Sequence, residues 1–253
     1  MTSGMFSFDQ LKCRYEPFPI GMARPLMDAG LYREFVDEFP GVEMFGDLSV
    51  VGHKYSLSEK TNRRTYRQLV HTRPVWKELH KWIKSDAFIK DVLQALEERH
   101  LELGYKMLSP GHRVVRRISK LAKGHLRSTR GRLGARFEYS MLPVDGGHVL
   151  PHTDSPGKIV TIIVSILDEN EWDPAFGGGT DLNRPRNPEY SFNRLNRQGR
   201  FEDMEVIDTF DFQPNQAVLF VRTFNSWHSV RPMQGKGSGA MRRSLTINIE
   251  ERH

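Results

Sequence analysis

The chain has 253 residues, of which 38% are hydrophobic and 27% charged, with a formal net charge of +6, and this composition is that of an ordinary globular protein. A single cysteine, Cys13, excludes an internal disulfide framework, and no apolar run approaches the length of a membrane span. The first ten residues lack the basic start and apolar run of a secretion signal, so we expect a cytoplasmic protein.

Three amphipathic helices are predicted in the first half of the chain, and each begins at a residue suited to a helix start. The first begins at about Asp28 and ends before Pro40, the second begins at Pro74, and the third is capped by Asp86. Their apolar faces recur at helical spacing: Leu31, Phe35 and Phe39; Trp76, Leu79 and Ile83; and Phe88, Val92 and Leu96.

The basic character of the chain is concentrated in residues 112–136, which contain nine Lys or Arg and no Asp or Glu, leaving 28 basic against 31 acidic residues elsewhere. Val114, Ile118 and Leu121 predict a short basic amphipathic helix, followed by an Arg-rich tail. The segment is either a solvated helix and loop or, through residues 113–136, a surface that contacts an anionic partner. It contains no aromatic residue for base stacking, which argues against nucleic acid.

Strands are predicted in the second half of the chain, where apolar and β-branched residues form short runs. The predicted strands are 135–142, 159–167, 217–221 and 244–249. The glycine run 177–179 and the polar stretch from about 183 to 201 predict turn and loop. Helices first and strands later indicate an α+β protein, with helices packed against an all-β core.

A possible metal site is indicated by His152-Thr153-Asp154, because residues i and i+2 of an extended chain project to the same side. His228, which follows the predicted strand 217–221, supplies a third ligand. Two histidines and one carboxylate leave positions open on the metal, as in non-haem Fe(II) oxygenases. An isolated pair of this kind also occurs by chance among surface residues.

Arg242-Arg243-Ser244 opens the last predicted strand, so Arg242 and Ser244 point to one side and Arg243 to the other. A guanidinium beside a hydroxyl is a natural receptor for a carboxylate, which the planar fork binds through two hydrogen bonds. The alternative is that both arginines lie at an exposed edge.

Several motifs together resemble the 2-oxoglutarate- and Fe(II)-dependent dioxygenases, in particular their prolyl-4-hydroxylase-like branch. They are His-Thr-Asp at 152–154, Trp-His-Ser-Val at 227–230 and Arg-Arg-Ser-Leu-Thr-Ile-Asn-Ile at 242–249. The segments 17–19, 38–40, 160–167 and 215–221 are also similar to that branch. The resemblance covers roughly residues 16–250, and its specific motifs lie from 135 onward.

This resemblance implies one domain spanning 1–253, with mainly helical residues at 1–134 and a double-stranded β-helix, or jelly-roll, core at 135–250. It implies that Fe(II), 2-oxoglutarate and O2 are used to hydroxylate a substrate, with release of succinate and CO2. The implied iron ligands are His152, Asp154 and His228. The implied 2-oxoglutarate residues are Arg242 and Ser244, with Tyr139 and Thr161 as further candidates that could equally be ordinary sheet residues.

Three functions remain open from the sequence. The first is a hydroxylase of a small molecule or acidic saccharide, and the second is a prolyl hydroxylase of a proline-containing protein. The third is a non-catalytic jelly-roll binding module, which the complete set of three ligands and Arg242 disfavours.

Overall fold

The computed structural model describes residues 4–48, 54–105, 132–168 and 170–252. The helices are α1 (Ala29–Asp37), α2 (Arg63–Thr72), α3 (Pro74–Ile83) and α4 (Asp86–Glu97). The strands are β1 (Lys12–Arg14), β2 (Ile20–Ala23), β3 (Gly46–Leu48), β4 (Lys54–Ser58), β5 (Arg132–Pro143), β6 (Val149–His152), β7 (Lys158–Ser165), β8 (Thr180–Pro185), β9 (Met204–Phe210), β10 (Ala217–Val221), β11 (His228–Val230) and β12 (Met241–Arg252). None of the helices in the described ranges has the length and apolarity needed to cross a membrane.

Two antiparallel sheets form the core. The large sheet has the strand order β1-β2-β10-β7-β12-β5-β4-β3, and the small sheet has the order β6-β11-β8-β9. The small sheet covers one face of the large one, where Leu182 of β8 packs with Val218 and Phe220 of β10. We call the face of the large sheet that looks toward the small sheet the inner face. The helices pack on the opposite, outer face, which confirms the predicted α+β class.

The outer face of the large sheet is apolar because alternate residues of each strand point to it. On β12, Leu245, Ile247 and Ile249 lie in one hydrophobic cluster with Phe35 of α1 and Trp76 of α3. Each of the five is at most 1% exposed. Burying aliphatic and aromatic side chains of this size stabilises the fold by about 1.5–3 kcal/mol each. The outer face therefore provides stability, and the inner face is left for chemistry.

The helix predictions are confirmed, with one change at a cap. The Asp28 side chain accepts hydrogen bonds from the first turn of α1, and Pro74 occupies the first turn of α3. The cap of α4 is Ser85, whose hydroxyl accepts from the Phe88 N–H at 3.3 Å, and Asp86 is the first helical residue. Helix α2 was not predicted, because its apolar residues Tyr66, Leu69 and Val70 are few among charged neighbours.

The sheet differs from the sequence prediction at several short strands. The chain is in strand β8 up to Pro185, so the prediction of loop from 183 onward was wrong at its first residues. The strands β1 to β4, β6, β9 and β11 were not predicted. The predicted helix with Val114, Ile118 and Leu121 lies outside the described residues, as does most of the basic segment.

Candidate active site

Three side chains meet where the small sheet faces the inner face of the large sheet. His152 ends β6 and His228 begins β11, and the two residues are direct partners across these strands. Their ring centroids are 4.2 Å apart. Asp154 follows two residues after His152, and one potential ligand atom from each of the three lies within 4.8 Å of the others. The structure therefore brings together the three predicted ligands.

Hydrogen bonds to backbone carbonyls orient both imidazoles. His152 Nδ1 is 2.9 Å from Leu150 O, and His228 Nδ1 is 2.9 Å from Ser226 O. Because a carbonyl oxygen only accepts, each Nδ1 carries the proton and each Nε2 keeps a free lone pair. Metal-binding histidines are commonly oriented by such a bond on the second nitrogen. The pair could therefore present two Nε2 atoms to one metal ion.

Asp154 presents its two oxygens to different partners. Oδ2 accepts a hydrogen bond from the Thr161 hydroxyl at 2.8 Å, whereas Oδ1 lies 3.6 Å from His152 Nε2. Oδ1 is thus the oxygen that shares a potential metal site with the imidazoles. The residue has a φ of 67°, in the left-handed region that non-glycine residues rarely adopt. The extended chain assumed from the sequence ends at His152, and a tight backbone turn brings in the carboxylate.

Lys158 is a member of the site that the sequence analysis missed. Its Nζ donates to Asp154 Oδ1 at 2.5 Å. Burial alone would raise the pKa of Asp154, but the nearby His152 imidazole and the charge of Lys158 hold it well below its ordinary value. The carboxylate is therefore ionised at neutral pH, as a metal ligand must be. The only sequence signal was the spacing of four residues between Asp154 and Lys158.

The surroundings of His228 keep its imidazole neutral. Complete burial, together with the neighbouring His152, lowers the pKa of His228 to about 3. The Phe220 ring packs against it with a centroid distance of 4.4 Å. A neutral imidazole is the form that binds metal. Two imidazole nitrogens and one carboxylate could hold a divalent transition metal and leave further positions open.

Arg242 is a buried cation on the inner face. The residue is 4% exposed, its Nε donates to Gly178 O at 2.6 Å, and its Nη1 lies 3.4 Å from Ser244 Oγ. Its guanidinium carbon lies 4.1 Å from the centre of the Phe212 ring. Among the described residues no carboxylate pairs with it, and burial lowers its pKa to about 10. A buried guanidinium that is not paired with a carboxylate is suited to an anionic ligand.

Gly178 is required at this position for two reasons. Its φ is 76°, and a Cβ there would lie 2.9 Å from Met233 Sδ and 3.3 Å from Arg242 Cδ. Only glycine tolerates both the left-handed conformation and the close approach. The predicted glycine turn therefore places a carbonyl against the Arg242 guanidinium.

A row of polar residues on β12 leads from Arg242 to the cluster of ligands. Ser244, Thr246 and Asn248 share the inner face with Arg242, because alternate residues of a strand point to the same side. Asn248 Oδ1 lies 3.2 Å from Thr161 Oγ1, which in turn holds Asp154. Arg243 points to the other side and pairs with Glu171 at 2.9 Å. The predicted opposite orientation of the two arginines is thus observed.

The two further candidates from the sequence have different positions. Thr161 contacts a proposed metal ligand, so its hydroxyl positions Asp154. Tyr139 lies on the outer face, where its ring is 4.8 Å from that of Trp76, and its hydroxyl is buried without a hydrogen-bond partner in the described structure. The structure does not bring Tyr139 to the site, and we assign it to the helix-facing core.

Only the end of the basic segment lies within the described residues. Its last arginine, Arg136, is on β5 and pairs with Glu250 of β12 at 2.7 Å. This guanidinium is therefore already neutralised within the sheet and is not part of an outward-facing basic surface. The segment 112–131 lies outside the described residues, so its proposed contact with an anionic partner stays a prediction.

Comparison with a solved structure identifies the fold of this chain. No family model matches the sequence, and no curated protein matches it. A prolyl-4-hydroxylase from Pseudomonas putida matches with a TM-score of 0.52 and 13% identity, over 92% of this chain and 93% of that chain. The chain has the double-stranded β-helix fold. This finding confirms the predicted jelly-roll core, and at such low identity it establishes the fold and not the reaction.

Two further solved structures are more distantly similar. A prolyl hydroxylase from Trichoplax adhaerens, in complex with a peptide fragment of hypoxia inducible factor, shares 14% identity over 92% of this chain and 83% of that chain, with a TM-score of 0.44. The non-heme α-ketoglutarate-dependent epimerase SnoN from nogalamycin biosynthesis shares 13% identity over 94% and 78%, with a TM-score of 0.49. Because both TM-scores lie below 0.5, the fold is supported by the likeness to the Pseudomonas putida enzyme and not by these two.

Proposed function

We propose that this protein is an Fe(II)- and 2-oxoglutarate-dependent dioxygenase that hydroxylates a small substrate. The proposal rests on two features that occur together on the inner face, a possible metal site and a buried arginine. The cluster of His152, Asp154 and His228 presents two imidazole nitrogens and one carboxylate oxygen, and the polar row of β12 connects it with a buried arginine that no described carboxylate neutralises. A jelly-roll binding module has no use for both features.

The residues of the chain have distinct roles in this proposal. His152 Nε2, His228 Nε2 and Asp154 Oδ1 would hold the iron, and Thr161 fixes the second oxygen of Asp154. Arg242 would bind the far carboxylate of 2-oxoglutarate, because its fork is fixed by Gly178 O and Phe212. When bound, iron, 2-oxoglutarate and O2 together supply the oxidation that converts a C–H bond to C–OH, with succinate and CO2 as the other products.

Phe220 shields the ligand His228 from water. Phe220 covers the His228 ring, and both are at most 5% exposed. Burial of these two rings strengthens the electrostatic contacts that His228 makes. In this proposal the chain would bind and orient 2-oxoglutarate and the substrate, so that the reacting C–H bond would lie close to the metal.

For the substrate we propose a small molecule that carries an acidic group, with an acidic saccharide as one candidate. The alternative is a proline-containing protein, which the likeness in fold to a prolyl-4-hydroxylase favours. Fold alone does not choose between them, because one scaffold hosts many reactions. The two are separated by incubating the Fe(II) protein with 2-oxoglutarate and either acidic saccharides or proline-containing peptides, and measuring succinate.

The test of the reaction itself uses a matched pair of histidine variants. We expect the wild-type protein with Fe(II) to convert 2-oxoglutarate slowly to succinate without substrate, and His152→Ala to lose this conversion. His148→Ala is the control, because His148 is also half-buried and its Nδ1 makes the same kind of bond to Gly146 O, yet it lies outside the cluster. Equal succinate release by wild type and His152→Ala would contradict the proposed metal site.

A further inference from the structure

Arg222 is an additional arginine that faces the site. It directly follows β10, in which Val218 and Phe220 point to the inner face. The Arg222 N–H donates to Ile159 O of β7 at 2.9 Å, so the pairing with β7 continues one residue beyond the strand. Because alternate residues of an extended strand point to one side, Arg222 takes the same side as Phe220, which packs on His228.

The guanidinium of Arg222 has buried donors that no described group satisfies. Its Nε and Nη2 are shielded from solvent and have no hydrogen-bond partner among the described residues. An arginine carries five N–H donors and no acceptor, so a buried donor without a partner costs about 1–3 kcal/mol. A buried donor without a protein partner in a native structure calls for an explanation, and a bound ligand or ion is one.

Within the described residues, no carboxylate forms an ion pair with Arg222. Burial lowers its pKa, and the negative charge of Asp154 opposes this only in part. That carboxylate is already engaged, since it accepts hydrogen bonds from Lys158 and Thr161. Other cations on or beside the inner face have partners of their own: Lys54 with Glu138 at 2.8 Å and Arg136 with Glu250 at 2.7 Å.

Phe224 orients the guanidinium and is itself partly exposed to solvent. The Arg222 guanidinium carbon lies 4.5 Å from the centre of the Phe224 ring, which is itself 43% exposed. The Asn193 N–H donates to Phe224 O at 2.7 Å, and Trp227 Nε1 donates to Ser191 O at 3.0 Å. These bonds fix the segment after β8 against this wall of the site. Stacking on Phe224 therefore holds the Arg222 guanidinium in one orientation.

We propose that Arg222 binds an oxyanion of the primary substrate, a carboxylate or a phosphate or sulfate ester, and thereby holds the substrate beside the cluster of His152, Asp154 and His228. The inference rests on the proposed function and adds to it the residue that recognises the acidic group of the substrate. Arginine is suited to this role because its planar fork matches two oxygens of either type of anion. Arg242, at the other end of the polar row on β12, is the separate receptor for 2-oxoglutarate.

The test uses the protein loaded with Mn(II) and saturating 2-oxoglutarate, because Mn(II) in place of Fe(II) allows binding to be measured without turnover. Inorganic phosphate, sulfate and benzoate are the probes. Binding is followed by calorimetry, and for phosphate also by the broadening of its ³¹P resonance by the nearby Mn(II). We expect at least one probe to bind saturably to wild type, and the preferred anion distinguishes a phosphate or sulfate ester from a carboxylate.

Three variants make the result specific. Arg222→Met should weaken probe binding at least tenfold, and Arg222→Lys should retain part of it because the charge remains. Arg194→Met is the matched control: Arg194 is an exposed arginine of the segment that packs on Phe224, and its removal takes away the same charge. Arg222→Met should also unfold at the same or a higher temperature than wild type, because buried unpaired donors are removed.

The outcomes separate this proposal from the proposed function. A loaded protein that binds none of the probes, or an Arg222→Met protein that binds them as tightly as wild type, would overturn the role of Arg222 alone. A lowered unfolding temperature of Arg222→Met with unchanged binding would assign the arginine a structural role instead. Failure of wild type to bind Mn(II), seen as an unchanged free Mn(II) resonance, would overturn the proposed function and this proposal with it.

Discussion

Replacing Arg242 by methionine tests the 2-oxoglutarate site most directly. Methionine keeps a long apolar side chain beside Phe212 and removes the guanidinium. If Arg242 pairs with the far carboxylate of 2-oxoglutarate, the substitution takes away one partner of a buried, hydrogen-bonded charge pair, at a cost of about 2–5 kcal/mol. At about 1.36 kcal/mol per tenfold, the affinity for 2-oxoglutarate should fall roughly 30-fold or more.

The same substitution should have a different effect on stability. Burial lowers the pKa of Arg242 well below its ordinary value, to about 10, so at neutral pH the folded chain holds a cation that the unfolded chain solvates better. The difference corresponds to about 3 kcal/mol in favour of unfolding. Arg242→Met removes this cost of burying a charge, and it also removes the hydrogen bond to Gly178 O and the contact with Phe212. The two effects act in opposite directions. We therefore expect the free energy of unfolding to stay within about 1 kcal/mol of wild type or to rise.

The adjacent arginine provides the control. Arg243 pairs on the outer side with Glu171, whose side chain is 70% exposed, and such pairs contribute little. Calorimetric titration of Mn(II)-loaded Arg242→Met and Arg243→Met with 2-oxoglutarate, together with urea unfolding of both, measures the two effects. If Arg242→Met binds 2-oxoglutarate within threefold of wild type, or if Arg243→Met weakens binding equally, the reasoning from burial and strand alternation is wrong.

Three further substitutions test neighbouring contacts. Thr161→Val removes the hydroxyl that holds Asp154 Oδ2 and should weaken metal affinity by about ten- to hundredfold, with Thr161→Ser restoring it, as measured by Mn(II) titration. Lys158→Met should tighten metal binding several-fold in the same titration, because its ammonium competes with a metal for Asp154 Oδ1, and weaker binding would refute this. Tyr139→Phe removes a buried hydroxyl without a described partner, so the free energy of unfolding should rise by about 1 kcal/mol while 2-oxoglutarate affinity is unchanged.

The parts of the fold that the sequence predicted well are those with a strong local pattern. The apolar residues of α1, α3 and α4 recur at helical spacing, and the strands β7, β10 and β12 are apolar runs that contain β-branched residues. The short strands carry no such signal. β2 has four residues and pairs with β10, almost two hundred positions later, so its conformation depends on a distant partner.

The prediction that Tyr139 lies at the site was wrong, and the alternation of residues along its strand could have shown this. On β5, Ala135, Phe137, Tyr139 and Met141 alternate with Arg136, Glu138 and Ser140. Tyr139 therefore lies on the same side of the strand as the apolar residues, and the apolar side of the sheet faces the helices. Its proximity in sequence to the site was a weaker guide than this alternation.

Lys158 and Arg222 were missed for a different reason. A single basic residue near the end of a strand is common, and nothing local distinguishes one that faces a site from one that faces solvent. What distinguishes Arg222 is the combination of buried, unpaired donors and a nearby cluster of ligands, and both depend on strands that come together only in the folded chain.

The charges of the inner face connect the two proposals. Burying an ion is costly unless an opposite charge or a ligand compensates it, and the described cations on this face that have carboxylate partners need nothing further. Arg242 and Arg222 are the buried or half-buried guanidinium groups near the site for which the described residues offer no free carboxylate. Two guanidinium groups that no carboxylate of the described residues pairs with are suited to two anionic ligands. An oxygenase that uses 2-oxoglutarate on an acidic substrate needs both, whereas one that acts on a neutral substrate would leave Arg222 unexplained.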